Sequence, residues 1–269
     1  MNRTALWIVA LAVLAAAIAG YFLWQQTREA EKPKPEPPRA EAPKLPPAPP
    51  EPQIRHPIEQ AQPQPQESPP SLPPLAESDP AVQEALIGLL GNDSVRKFLN
   101  VDGFVRRVVV TVDNLPRKKA AVRQWPVNPT APRFAVLGSD DNASIDPANS
   151  RRYEPFVRLV ESVDTGKAVA LYVRFYPLFQ RAYEELGYPG HYFNDRVVEV
   201  IDHLLATPEV PGPIRLAKPW VFYEFADPAL ESRSAGQKIL IRVGIDNAAR
   251  LKAKLRDVRQ RLTGVKLQQ

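Results

Sequence analysis

Asp195, Glu199 and Asp202 recur at i, i+4 and i+7, a spacing that puts three carboxylates on one face of a helix, with His203 at its edge. Acids grouped in this way could hold a hard divalent cation or act as an acid/base pair. Val197, Val200, Ile201, Leu204 and Leu205 fall on the opposite face. The same carboxylates are therefore also what the polar side of any amphipathic helix would show. Asp195, Glu199, Asp202 and His203 stand as the catalytic candidates for an enzyme acting on a cell-envelope polymer. No metal and no cofactor is expected.

A second constellation is aromatic. Tyr172, Phe175, Tyr176, Phe179, Tyr183, Tyr188, Tyr192 and Phe193 lie within 22 positions. Their helical spacing suits core packing. Tyrosine outnumbers phenylalanine, however, and a buried phenol needs a hydrogen-bond partner. Tyr172, Tyr176, Tyr183, Tyr188 and Tyr192 are thus also the candidate lining of a groove for a glycan or peptide.

The third is cationic. Residues 247–269 carry a net charge of +6, leaving 75–246 at −1 and 1–74 neutral, within a chain total of +5. The basic character belongs to one terminal segment. It does not form the domain-wide basic face of a nucleic-acid binder, so no nucleic-acid partner is expected. On a helical wheel Leu251, Leu255, Val258 and Leu262 make one seam, extended by Ala248, with cations on the remaining arc. Two readings are open: a seam packed on the domain with cations facing solvent, or a docking face, marked by Arg250, Lys254 and Arg261, for an acidic partner or an anionic membrane surface.

Other motifs carry less. Ser94-Val95-Arg96-Lys97 matches S-x-x-K, but the companion S-D-N and K-T-G elements are missing. Ser234-Ala235-Gly236-Gln237-Lys238 lacks the spacing of a phosphate loop, and its glycine reads as a close-packing position in a helix. With no cysteine there are no disulfides, thiolate nucleophiles or sulfur-based zinc sites.

The elements that must position these residues begin after a non-globular N-terminal third. Residues 1–4 read as a short tail. Ala5 to Trp24 is a run of twenty uncharged residues, about 30 Å as a helix, which matches the hydrocarbon thickness of a bilayer. Trp7, Tyr21 and Trp24 stand near its ends, where amphipathic rings belong. An uncleaved single transmembrane helix is expected. Lys/Arg counting would place the remainder of the chain in the cytoplasm. The short N-terminal stub and the long polar continuation instead fit a signal anchor, and the expectation is an inner-membrane protein with its domain on the periplasmic side. Residues 33–74 hold 17 prolines and no glycine. The segment 25–74 is therefore expected to be a stiff, disordered stand-off arm that contributes no core.

The soluble domain, 75–269, opens on Ser78-Asp79-Pro80, a cap followed by proline at the first helical position. A stripe from Val95 to Val112 reads as one helix, although Val108-Val109-Val110-Thr111-Val112 would suit a strand. Phe134–Leu137 reads as a short strand, and Asp146-Pro147 opens a helix to about Val163. Lys167–Leu186 should be a central helix that Pro177 kinks or divides. Phe193–Ala206 is the helix carrying the carboxylates. Ile214–Leu216 and Val221–Phe225 read as strands, Asp227-Pro228 caps a helix to about Val243, and Asp246 caps the last one. The expected class is mainly α with a small β element of two or three strands (α+β).

The stretches VDNLPR (112–117), LYVRFYPLFQRAYEELGYP (171–189), FNDRVVEVIDHLLATP (193–208) and YEFADPALESRSAGQK (223–238) resemble the bacterial Domain of Unknown Function 3014 family, over about residues 75–263. The resemblance implies a shared domain and an envelope setting; it supplies no activity and no catalytic residues. With the anchor and arm, the expectation is a membrane-anchored envelope protein whose domain binds a partner protein or cell-wall component.

Overall fold

The computed structural model describes residues 53–61, 72–139 and 142–264. The expected anchor at 5–24 and the arm at 25–52 and 62–71 lie outside the described residues. Among the described residues no helix is long and apolar enough to cross a membrane.

The domain is mainly helical with a small β component, an α+β arrangement. Three helices, α1 (Asp79–Leu90), α2 (Asn92–Phe98) and α3 (Phe104–Asn114), precede a two-stranded antiparallel ribbon, β1 (Val136–Leu137) with β2 (Ser144–Ile145). Helices α4 (Ala148–Ser162), α5 (Thr165–Glu185) and α6 (Phe193–Leu205) come next. A second ribbon pairs β3 (Leu216–Ala217) with β4 (Glu224–Phe225). The chain then forms α7 (Pro228–Glu231), α8 (Ala235–Arg242) and α9 (Ile245–Thr263). The strands make two ribbons joined by a bridge between Ser144 and Arg215, where a single element of two or three strands was expected.

Tertiary contacts redraw several expected boundaries. The stripe from Val95 to Val112 breaks into α2 and α3, because Leu99 bridges to Val127 and Gly103 turns the chain at φ 61°. The valine run stays helical, with Val105 and Val109 buried, so burial overrides β-propensity. Helix α5 runs undivided through Pro177. The expected helix from Asp227 to Val243 is two helices. The N–H groups of Ala235 and Gly236 donate to the carbonyls of Arg117 (2.7 Å) and Leu115 (2.9 Å), and Ser234 Oγ accepts from Gln237 N at 3.2 Å. A new helix starts there because its first donors find partners outside the helix. The expected strand from Val221 is confined to Glu224–Phe225, leaving Trp220 (86% exposed) and Phe222 (81%) in the connection between β3 and β4.

The main apolar core joins α1, α2, α3, α5, α6 and α9. Ile58 and Ala61, each 7% exposed, belong to it. This corrects the expectation that the arm to residue 74 contributes no core. Residues 53–61 lie on the domain as a strap, with a single helical turn at Ile58–Ala61 packed against α5 and α9. The physical reason is local. Around Ile58 the proline-rich composition gives way to residues that can bury an aliphatic side chain and donate main-chain N–H groups.

Candidate peptide-binding site

Helix α6 begins with Tyr192 as its N-cap residue, whose side chain makes no capping bond. The first N–H groups of the helix are satisfied from α5. Gln180 Oε1 accepts from Phe193 N at 2.8 Å, and the Tyr176 hydroxyl accepts from Asn194 N at 3.2 Å. Tyr176 in turn donates to Gln180 Oε1 at 3.0 Å, and Tyr172 donates to Asn194 Oδ1 at 3.3 Å. Tyr172 meets Tyr176 edge-on at 5.7 Å between ring centroids, and Tyr176 lies 5.3 Å from Tyr192. Burial pushes the phenols of Tyr172 and Tyr176 well above the ordinary tyrosine value, and that of Tyr183 up to about 12. These phenols are held protonated, and those of Tyr172 and Tyr176 act as structural hydrogen-bond groups.

On this platform lies the strap. Asp195, in the first turn of α6 and 9% exposed, accepts main-chain N–H donors from Arg55 (2.9 Å) and His56 (2.7 Å), one on each carboxylate oxygen. Asn194 Nδ2 donates to the His56 carbonyl at 2.9 Å, and the Tyr192 hydroxyl accepts from Ile58 N at 2.8 Å. A buried carboxylate at a helix N-terminus is favoured by the helix dipole, and the two N–H donors offset its desolvation. Four hydrogen bonds to main-chain atoms, plus the buried side chains of Ile58 and Ala61, fix the segment. The chain bends at Arg55–His56, which turns two adjacent N–H groups onto one carboxylate, and runs straight into the turn at Ile58–Ala61, so the domain holds its own segment mainly by the backbone.

The remaining sequence candidates are dispersed. Glu199 pairs with Arg196 at 3.0 Å, Asp202 pairs with Arg259 on α9, and His203 Nε2 bonds Ser234 Oγ at 2.7 Å. Asp195, Glu199 and Asp202 share a helix but are directed to three different partners. Among the described residues no cluster of three or more His, Asp or Glu could hold a metal. Of the tyrosines, Tyr183 and Tyr188 stack on each other at 4.6 Å, and Tyr188 accepts from Arg117 at 3.0 Å; neither bonds the strap.

The cations also find partners within the chain. Arg250 forms ion pairs with Glu154 and Glu161 on α4, Lys254 donates to the Val163 carbonyl (2.8 Å) and Thr165 Oγ1 (3.2 Å), and Arg261 pairs with Asp257. Lys252 is buried, its ammonium on the Thr207 carbonyl. Helix α9 packs on α4, α5 and α6, and Arg250 and Lys254 tie it to these neighbours, whereas Arg256 and Arg261 are exposed. A separate cleft of about 840 Å³ is walled by Ile145, Val210, Ile214 and Ile241; of the candidate residues it includes Arg250, already held by its two glutamates.

Sequence reasoning missed Asn194, Gln180 and the strap as ligand. Asn194 and Gln180 have no periodic signal; the proline-free stretch Gln53–His56 ahead of Pro57 was the available cue for the strap.

The model for proteins of unknown function DUF3014 matches residues 104–259. This chain belongs to that family. The matched DUF3014 span includes the Tyr172–Asp195 platform, whereas the strap, α1 and α2 lie N-terminal to it. No curated protein and no solved structure matches the chain.

Proposed function

We propose that this DUF3014 protein is a single-pass, inner-membrane-anchored envelope protein whose soluble domain is a binding module for a partner protein. The observation that carries this reading is the Asn194–Asp195 pair, which binds two adjacent main-chain N–H groups and a main-chain carbonyl of one bent segment. Surfaces that engage main-chain groups bind polypeptide, which favours a protein over a cell-wall polymer as partner. The anchor is the bilayer span at residues 5–24, and the proline-rich residues after it carry the domain into the periplasm. An enzymatic role loses support because Asp195, Glu199 and Asp202 are each committed to a structural partner.

Two measurements test the reading. A reporter fused after Gln269 should be active only outside the cytoplasm. A photo-crosslinking residue at position 192, on the groove, should trap a discrete envelope protein in intact cells once Ile58→Asp frees the groove of residues 53–61. A cytoplasmic reporter signal overturns the location, and crosslinks confined to this chain in that variant overturn the partner.

A further inference from the structure

We infer that the groove is selective for one peptide pattern, and that in this chain the pattern is supplied in cis by residues 53–61, so that a partner segment binds by displacing the strap. The inference rests on the binding-module reading and specifies its ligand. Each position of the strap carries a distinct requirement. Arg55 and His56 both donate main-chain N–H groups to Asp195, so neither position can be proline. Position 57 has no main-chain bond to the groove, so a proline costs nothing there, and it disfavours helical backbone at residue 56, whose carbonyl accepts from Asn194 ahead of the turn at Ile58. Position 58 donates to Tyr192 and buries an aliphatic side chain. Glu59 is exposed, and position 61 is a buried alanine with room for a small side chain. The ligand class is a bent segment that runs into a single helical turn, of the form x-x-Pro-aliphatic-x-x-small, the first two residues not proline. The side chains of Ile54, Arg55 and Glu59 point to solvent, so their identity is free.

Cis occupancy follows from tethering. A segment joined to its site by a short linker has an effective concentration of about millimolar, which suppresses a free competitor by about a hundredfold or more.

The test uses the full chain in detergent micelles and a fluorescein-labelled peptide of sequence QIRHPIEQA. Wild-type protein should bind the peptide at least about a hundredfold more weakly than two strap variants, Ile58→Asp and the double change Arg55→Pro/His56→Pro. The second variant removes the donors without touching a buried side chain, so it reports even if Ile58→Asp unfolds. Adding Asp195→Asn to a released variant should weaken the peptide by about tenfold or more, since bonds to a charged acceptor are lost. Peptides carrying proline at both donor positions, or aspartate for the isoleucine, should not bind. If altered and native peptides bind released protein equally, the pattern is wrong while peptide binding stands. If wild type and released variants bind equally, cis occupancy is wrong. If folded, released protein binds no peptide at all, the inference is overturned, and the crosslinking result then decides the partner reading separately.

Discussion

The main-chain N–H of Arg55 donates to Oδ2 of Asp195 at 2.9 Å, although the two residues are 140 positions apart. The Arg55 side chain is exposed, so by sequence the Arg55–His56 bond is an ordinary trypsin site. Proteolysis requires the segment to leave the groove, and its rate follows the population of the open form. Cleavage after Arg55 in the full chain should therefore be slow, and Asp195→Asn should accelerate it by about tenfold or more with unchanged helical circular dichroism. Equal rates in the two proteins would mean that Asp195 does not hold the strap.

Gly236 marks the closest approach of α8 to its surroundings. A Cβ there would stand 2.5 Å from Leu204 Cδ2 and 3.1 Å from the Leu115 carbonyl oxygen. The Leu204 methyl can move, but the carbonyl is held by the Gly236 N–H. Gly236→Ala should cost about 1–3 kcal/mol by overpacking, despite alanine's better helix propensity. Urea unfolding measures this, and a stabilised variant would contradict the packing described.

Arg250 bridges Glu154 and Glu161 across the contact of α9 with α4. Arg250→Glu brings a third carboxylate to the pair and should lower the urea midpoint more than Arg256→Glu, whose parent side chain is exposed. The Arg250 hydrogen bond holds Glu161 below its ordinary value of 4.5. A lowered carboxyl contributes stability that is present above the unfolded value and lost as pH falls through the folded one. The gap between wild type and Arg250→Met should thus be full near neutrality and shrink below about pH 4. A gap independent of pH would exclude the pairing.

The buried phenols predict the alkaline limb. Burial lifts Tyr183 to about 12 from an ordinary 10. A group whose folded value is raised gives its full contribution below the unfolded value, and the contribution is lost as pH rises through the folded one. Stability should therefore fall between about pH 10 and 12, and Tyr183→Phe should flatten that fall. In an ultraviolet titration of native protein, Tyr172, Tyr176 and Tyr183 should ionise only together with unfolding. A single transition near 10 for all eight tyrosines would show that they are not buried.

Much of the local structure was legible in the sequence. Period-3.6 apolar stripes give α5, α6 and α9, because a helix must bury one face, and Asp227 caps a helix through its own side chain as expected; the expected caps Ser78 and Asp246 do not, since Ser78 donates to the Leu75 carbonyl and α9 starts after Gly244. Gly236 was legible as a close-packing position. The mainly helical class with a small β component, and the family, followed from the same stretches. What tertiary structure alone decided is where each polar side chain finds its partner. Asp195, Glu199 and Asp202 are equivalent by spacing, yet one faces the strap, one Arg196 and one Arg259. A helical wheel shows angles and not neighbours, so it does not separate Arg250, which the carboxylates of α4 draw inward, or the buried Lys252, from Arg256 and Arg261, which are exposed. The strap was illegible for the same reason. Proline content describes what a chain cannot do by itself, whereas Ile58 is ordered by a cavity and hydrogen-bond groups that exist only once α5, α6 and α9 have packed together.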